Sequence, residues 1–208
     1  MQAFFNFFIA SYQEATVWQI VLEALVFVCG ILSVWLAKKE HIGVYPIGLI
    51  ATLITVYLLY QAKYLGDMMM NVYYSEMSIY GWWNWARKHQ GKPKLIISRT
   101  TLSEKKIGIL LCVITIAVTY GVYRLFQVPM QTANYIDLVT SGLFFTAMWF
   151  MARKKIENWT LWIIADCITV PLYLYRGLGM LALQYFVFTI LAIQGYLAWR
   201  KQLQHAAH

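Results

Sequence analysis

The amino-acid sequence predicts an all-α membrane protein: seven transmembrane helices, set out as two parallel three-helix repeats joined by a linker helix. Three observations carry that expectation. Of the 208 residues, 61% are hydrophobic and only 12% charged, about half the charged share of an ordinary soluble domain. Seven windows stay apolar over roughly the 20 residues a helix needs to cross a bilayer. And the chain matches itself at an offset of 114 residues without a gap.

The windows fall at 17–37, 43–61, 66–86, 106–126, 134–151, 158–175 and 179–199. Residues 1–16, with Phe4, Phe5, Phe7, Phe8 and Tyr12, read as an aromatic segment at the membrane surface, because Gln13 and Glu14 interrupt it before it is long enough to span. Lys38 and Lys39 follow the first window rather than precede it, which suits a retained helix and not a cleaved leader. The division that results is an interfacial segment at 1–16, a first repeat at 17–88, a loop and linker helix at 89–132, a second repeat at 133–201 and a tail at 202–208. Pro46 falls in the first turn of the second window, where a missing N–H costs little, and Pro171 predicts a kink in the sixth.

A net charge of +8 raises the question of nucleic acid. The basic residues, however, form short clusters between apolar windows and offer no basic domain, so nucleic acid is not an expected partner. They sort instead by side. Lys38 and Lys39, seven residues from Arg87 to Lys106, Arg153 to Lys155, Arg200 and Lys201 make fourteen on one side, against Lys63, Arg124 and Arg176 on the other. Basic connections stay in the cytoplasm, so the N-terminus is expected outside and the C-terminus inside. Cys29, Cys112 and Cys167 are isolated within apolar windows and make no CxxC or metal-ligand spacing. No metal or cofactor is expected.

At the offset of 114, the first three windows fall on the last three. Trp35 meets Trp149, Ile50 meets Ile164, and Ala51 meets Ala165. The block Ile54-Thr55-Val56 meets Ile168-Thr169-Val170, and Leu58 meets Leu172. Ile79, Gly81 and Trp85 meet Ile193, Gly195 and Trp199, while Glu23 and Asp137 match by charge. Single identities between apolar helices are cheap; a shared tripeptide and a shared I-x-G-x-x-x-W at one offset are not. With three spans in each repeat, the fourth window has to reverse the chain so that both repeats run the same way. Parallel repeats of this kind place the substrate of a transporter near mid-membrane, between the halves.

Ionisable groups at membrane depth are costly and mark function. Glu76 and Asp166 sit near the centres of the third and sixth windows; Glu23 and Asp137 lie nearer the outer ends, within reach of water. Trp159, Trp162, Asp166, Thr169 and Tyr173 recur at helical spacing on one face. A carboxylate flanked by indoles suits a flat organic cation, held by stacking, cation–π attraction and charge. The alternative is that Asp166 bonds a neighbouring helix while Trp159 marks the headgroup belt. In the first repeat the same positions hold Tyr45, Gly48, Thr52, Thr55 and Leu59, so an asymmetric ligand meets two unequal walls.

The third window carries Asn71, Tyr74, Ser75 and Ser78 on one face, continuing to Trp82 and Trp85. These groups offer donors and acceptors to sugar hydroxyls or to neighbouring helices. Glu76 points roughly 140° away from that stripe, at ~100° per residue. Gln184 and Gln194 are the polar candidates of the seventh window. The substrate-binding candidates are therefore Trp162, Asp166, Trp159, Thr169, Asn71, Tyr74, Ser78, Gln184 and Gln194. There is no HExxH, GxSxG or phosphate-binding loop, and His41, His89, His205 and His208 fall in connections or the tail. An enzyme is not expected.

The segment Asn71-Val-Tyr-Tyr-Ser-Glu-Met-Ser-Ile-Tyr-Gly-Trp-Trp-Asn-Trp85 resembles the third helix of the Pnu vitamin transporter family, above all its PnuC-type nicotinamide riboside branch. Arg153-Lys-Lys-Ile-Glu-Asn-Trp-Thr-Leu-Trp162 and Ala192-Ile-Gln-Gly-Tyr-Leu-Ala-Trp-Arg-Lys201 are similar to the start of that family's sixth helix and to its C-terminal helix. The resemblance covers roughly residues 20–201. It implies a SWEET-like fold of 3+1+3 helices and facilitated diffusion (uniport) of nicotinamide riboside across a bacterial inner membrane, with trapping by intracellular phosphorylation. It also implies a homotrimer. Nicotinamide riboside is a pyridinium cation on a ribose, which suits the aromatic–carboxylate stripe for the ring and Asn and Gln for the hydroxyls. Sister branches carry thiamine, riboflavin or deoxynucleosides, and thiamine, also an aromatic cation, fits the same stripe.

Overall fold

The structure, a computed structural model, describes residues 16–61, 65–89, 92–93, 95–127 and 129–205. The expected interfacial segment before Thr16, Lys63 and the last three residues of the tail lie outside them. Seven helices form among the described residues: α1 (Val17–Lys38), α2 (Val44–Gln61), α3 (Leu65–Ala86), α4 (Leu102–Leu125), α5 (Thr132–Ala152), α6 (Glu157–Tyr175) and α7 (Gly179–His205). A minimal hairpin, β1 (Lys88–His89) paired with β2 (Lys92–Pro93), follows α3.

Each helix falls on one of the seven apolar windows, and its ends move where local chemistry dictates. α4 begins four residues before the expected 106 because Thr101 and Glu104 cap each other. The Glu104 carboxylate accepts from the Thr101 N–H at 2.9 Å, and the Thr101 hydroxyl accepts from the Glu104 N–H at 3.2 Å, which satisfies two of the free donors at a helix start. Thr16 and Gln19 open α1 in the same way. α7 continues past 199 to His205, carrying Arg200 and Lys201 beyond the apolar stretch. Five helices, α1, α2, α4, α5 and α7, are long and apolar enough to cross a membrane. α3 and α6 match them in length but carry Asn71, Ser75, Glu76 and Ser78, or Glu157, Asn158 and Asp166, and these polar residues lower their hydropathy.

Packing closes a ring. α1 packs on α2 and α2 on α3; α5 packs on α6 and α6 on α7; α1 also meets α7, and α3 meets α5. In this ring α2 and α6 stand opposite each other. α4 lies outside, mainly against α5, where the small residues Gly108 and Gly142 allow close approach. The Thr146 hydroxyl reaches the Gly108 carbonyl at 3.2 Å, and a Cβ on Gly142 would come 2.8 Å from the Cys112 sulfur.

Local geometry recurs at an interval of 114 residues. At the α1–α2 turn the N–H groups of Lys39, Glu40 and His41 donate to the carbonyls of Leu36, Ala37 and Leu36; at the α5–α6 turn Arg153, Lys154 and Lys155 donate to Phe150, Met151 and Phe150. Glu40 and Lys154 both adopt positive φ, 54° and 52°. Lys39 stands over the Trp35 ring as Arg153 stands over Trp149. Tyr45 meets Trp85 edge-on at 5.1 Å, and Trp159 meets Trp199 edge-on at 5.5 Å. Glycine makes room for both rings: a Cβ on Gly195 would sit 2.7 Å from the Trp159 ring, and one on Gly81 would clash with Tyr45.

These four rings, with Ala37, Val44, Ile97, Met148, Met151, Ile156 and Ala192, form the hydrophobic core cluster. It lies at the end of the ring where α1, α3 and α5 finish, which is also the end that carries the basic connections. The segment between α3 and α4 is strapped across it. Ile97 is buried there; the Ser98 N–H donates to the Lys154 carbonyl, the Ile156 N–H to the Ser98 carbonyl, and the Thr100 N–H to the Glu157 carboxylate. Glu104 completes the anchor by pairing with Arg153 at 3.1 Å and Lys155 at 3.0 Å.

Candidate substrate cavity

A partly open cavity of about 1370 Å³ runs between the helices of the ring and extends to α4, which lines it from Leu111 to Val122. Its floor, at the basic end, rests on Tyr45 and Trp159, each only 1% exposed. In the other direction it passes Asp137 and Arg176 and reaches the surface beside Phe126, which is exposed.

Asp166, in the middle of α6, lines this cavity. It is 1% exposed, and neither carboxylate oxygen has a hydrogen-bond partner among the described residues. Among the described residues Asp166 thus makes no hydrogen bond to a neighbouring helix. A buried carboxylate without a partner is expensive, which makes Asp166 a candidate for contact with a ligand.

Aromatic side chains surround it. Trp162, one turn earlier on α6, packs on Phe144 of α5 at 5.3 Å between centroids, and Phe144 packs on Tyr185 of α7 at 5.8 Å. Tyr185 meets Tyr173 edge-on at 5.3 Å. From α3, Tyr74 leans on Phe145, which stacks flat on Tyr73 at 3.6 Å. Tyr74 and Tyr185 line the same cavity as Asp166. The wall opposite α6 is smaller and more polar, with Gly48, Thr52 and Thr55 from α2. Ser75 donates to the Thr52 hydroxyl at 2.8 Å. The hydroxyls of Thr55, Thr169 and Ser78 each donate to a carbonyl one turn back, all at 2.8 Å. Their protons are thus spent within the helices, and their oxygen lone pairs remain as acceptors for a ligand's hydroxyls.

Of the residues expected to bind substrate, Trp162, Asp166, Thr169, Asn71, Tyr74, Ser78 and Gln184 all line the cavity. Gln184 lies against Gly30 of α1, where a Cβ would come 3.0 Å from its amide nitrogen. Trp159 also lines the cavity, but about two turns from Asp166, wedged against Gly195 and Trp199 as part of the floor. Gln194 does not belong to it. Ten residues beyond Gln184, at ~100° per residue, it has turned roughly 80° off that face; it is exposed and accepts from Lys38 Nζ at 2.7 Å. Glu76 is exposed on the far side of α3, as its angle from the polar stripe predicts.

Sequence reasoning missed Phe144, Phe145 and Tyr185, whose aromatic character in apolar helices looks the same whether it meets lipid or ligand. It also undervalued Asp137, which lines the cavity and accepts from Arg176 at 2.6 Å. The signal was available, since the two residues have opposite charge and sit at the same end of consecutive windows.

The model of the nicotinamide mononucleotide transporter family matches residues 20–201. The nicotinamide riboside transporter PnuC of Escherichia coli K12 is 26% identical over 201 residues, covering 86% of this chain and 84% of its own length. PnuC of Neisseria mucosa is 28% identical, covering 86% and 72%, and PnuC of Haemophilus influenzae is 25% identical, covering 84% and 76%. A crystal structure of the vitamin B3 transporter PnuC shares the fold, with a TM-score of 0.70 at 21% identity over 95% of this chain and 86% of that one.

Proposed function

Because the chain belongs to the nicotinamide mononucleotide transporter family, we propose that it carries nicotinamide riboside across a bacterial inner membrane by facilitated diffusion, with trapping by intracellular phosphorylation. The observation that carries this reading is Asp166, a buried carboxylate with no protein partner among the described residues, set in a box of aromatic rings. A pyridinium placed there gains charge attraction and cation–π contact together, and it removes the cost of an unpaired buried anion.

The same site argues for the riboside over the mononucleotide. Among the described residues lining the cavity, Arg176 is the one cation, and Asp137 already holds it. A phosphate would have to displace that carboxylate or lie unpaired in a cavity that also contains Asp166.

The recurrence of turns, ring pairs and positive φ at an interval of 114 residues supports two parallel three-helix repeats, α1–α3 and α5–α7, with α4 as the linker. The gathering of basic connections at one end supports an outer N-terminus and a cytoplasmic C-terminus. Glu76, exposed on a helix at membrane depth, needs a polar partner there and supports a subunit contact of the kind a homotrimer provides.

Equilibrium binding to the purified protein tests the substrate. Nicotinamide riboside should bind at least tenfold more tightly than the mononucleotide. Equal or tighter binding of thiamine would reassign the substrate to thiamine, and no binding of the riboside would end the proposal.

A further inference from the structure

We propose that Glu40 and Lys154 form the latch of a gate at the basic end of the cavity, and that it must part for substrate to leave on that side. The inference rests on the transporter reading above. Lys154 Nζ lies 2.9 Å from the Glu40 carboxylate, with the two side chains only 10% and 22% exposed. It also stands 4.6 Å over the Trp85 ring, within cation–π range. The partners are 114 residues apart, so the pair joins matching positions in the two halves. Both are the left-handed residue that closes a helix, α1 and α5, through the same set of turn bonds, so their side chains leave the two halves at matching positions.

Position gives the pair its function. Glu40 lies five residues before Tyr45 and Lys154 five before Trp159, and these two rings are the cavity floor. The ion pair therefore ties the starts of α2 and α6, which face each other across the ring, directly beneath the floor. Trp85 and Asn84 add bonds across the halves at the same end, to the carbonyls of Met151 and Ala152. At the other end the ion pair is different in kind: Asp137 and Arg176 both belong to the second half, so that pair does not hold the halves together. The cavity is open at that end and closed at the latched one.

Sidedness of cysteine labelling tests the latch without substrate, so a wrong substrate and a wrong gate give different results. In a chain whose three cysteines are replaced, Ala51→Cys places a reporter on the cavity wall above Tyr45. A membrane-impermeant maleimide is applied to the basic side in inside-out vesicles and to the opposite side in spheroplasts. Glu40→Gln should raise the basic-side labelling rate about tenfold, a population shift of about 1.4 kcal/mol, and lower the rate from the other side. Lys154→Gln should do the same. The exchange variant Glu40→Lys/Lys154→Glu should return both rates to within about twofold of the parent. Unchanged basic-side labelling in the single variants, or an exchange variant that labels as fast as they do, overturns the gate. Failure of both single variants to fold, with the exchange variant folded, would make the pair a folding element and overturn it equally.

Discussion

Replacing Asp166 with Asn removes a charge from the cavity and keeps the shape. For a pyridinium at a contact separation of about 4 Å from the carboxylate, an effective dielectric of about 20 gives an attraction of about 4 kcal/mol. Part of this is returned, because the amide dipole still faces the ring and the free protein no longer buries an unpaired charge. A net loss of about 2 kcal/mol, or about thirtyfold in Kd, is expected. Dihydronicotinamide riboside has nearly the same outline without the charge, and its affinity should change less than about threefold. Titration calorimetry on parent and variant with both ligands measures the difference. Since neither Asp166 oxygen has a hydrogen-bond partner among the described residues, the ligand-free variant should also unfold at or above the parent temperature. Equal losses for the charged and neutral ligands, or a lowered Tm, would make Asp166 a structural residue and refute the reasoning.

Trp162→Ala should weaken riboside binding about tenfold through loss of the ring contact, while Trp162→Phe should recover most of it; fluorescence titration checks both. Gln194→Ala should leave initial uptake within about twofold of the parent, because the side chain is exposed and bonded to Lys38 rather than facing the cavity; a large fall in uptake would place it on the pathway.

The helices were legible because a long apolar run has few other uses, and helices formed even at the windows of α3 and α6, which are diluted by polar residues. Asp166 and Trp162 were legible because helical periodicity puts them on one face whatever the neighbours do. Phe144 and Phe145 were not, since which side of α5 meets the cavity depends on how α4 and α6 pack against it. Gln194 failed for the same reason: polarity marks a side chain that needs a partner, and its partner proved to be Lys38 at the surface. Glu40 and Lys154 lay hidden in basic connections, where charge reads as orientation. Their opposite signs at the repeat offset were visible, but contact across the ring required the halves to be assembled.

Uptake of radiolabelled nicotinamide riboside into proteoliposomes containing only this protein tests the central claim most directly. The account predicts entry well above protein-free liposomes, halting when inside and outside concentrations match and unaffected by collapsing proton or sodium gradients. Entry no faster than through bare lipid, or accumulation beyond equality driven by an ion gradient, would contradict it.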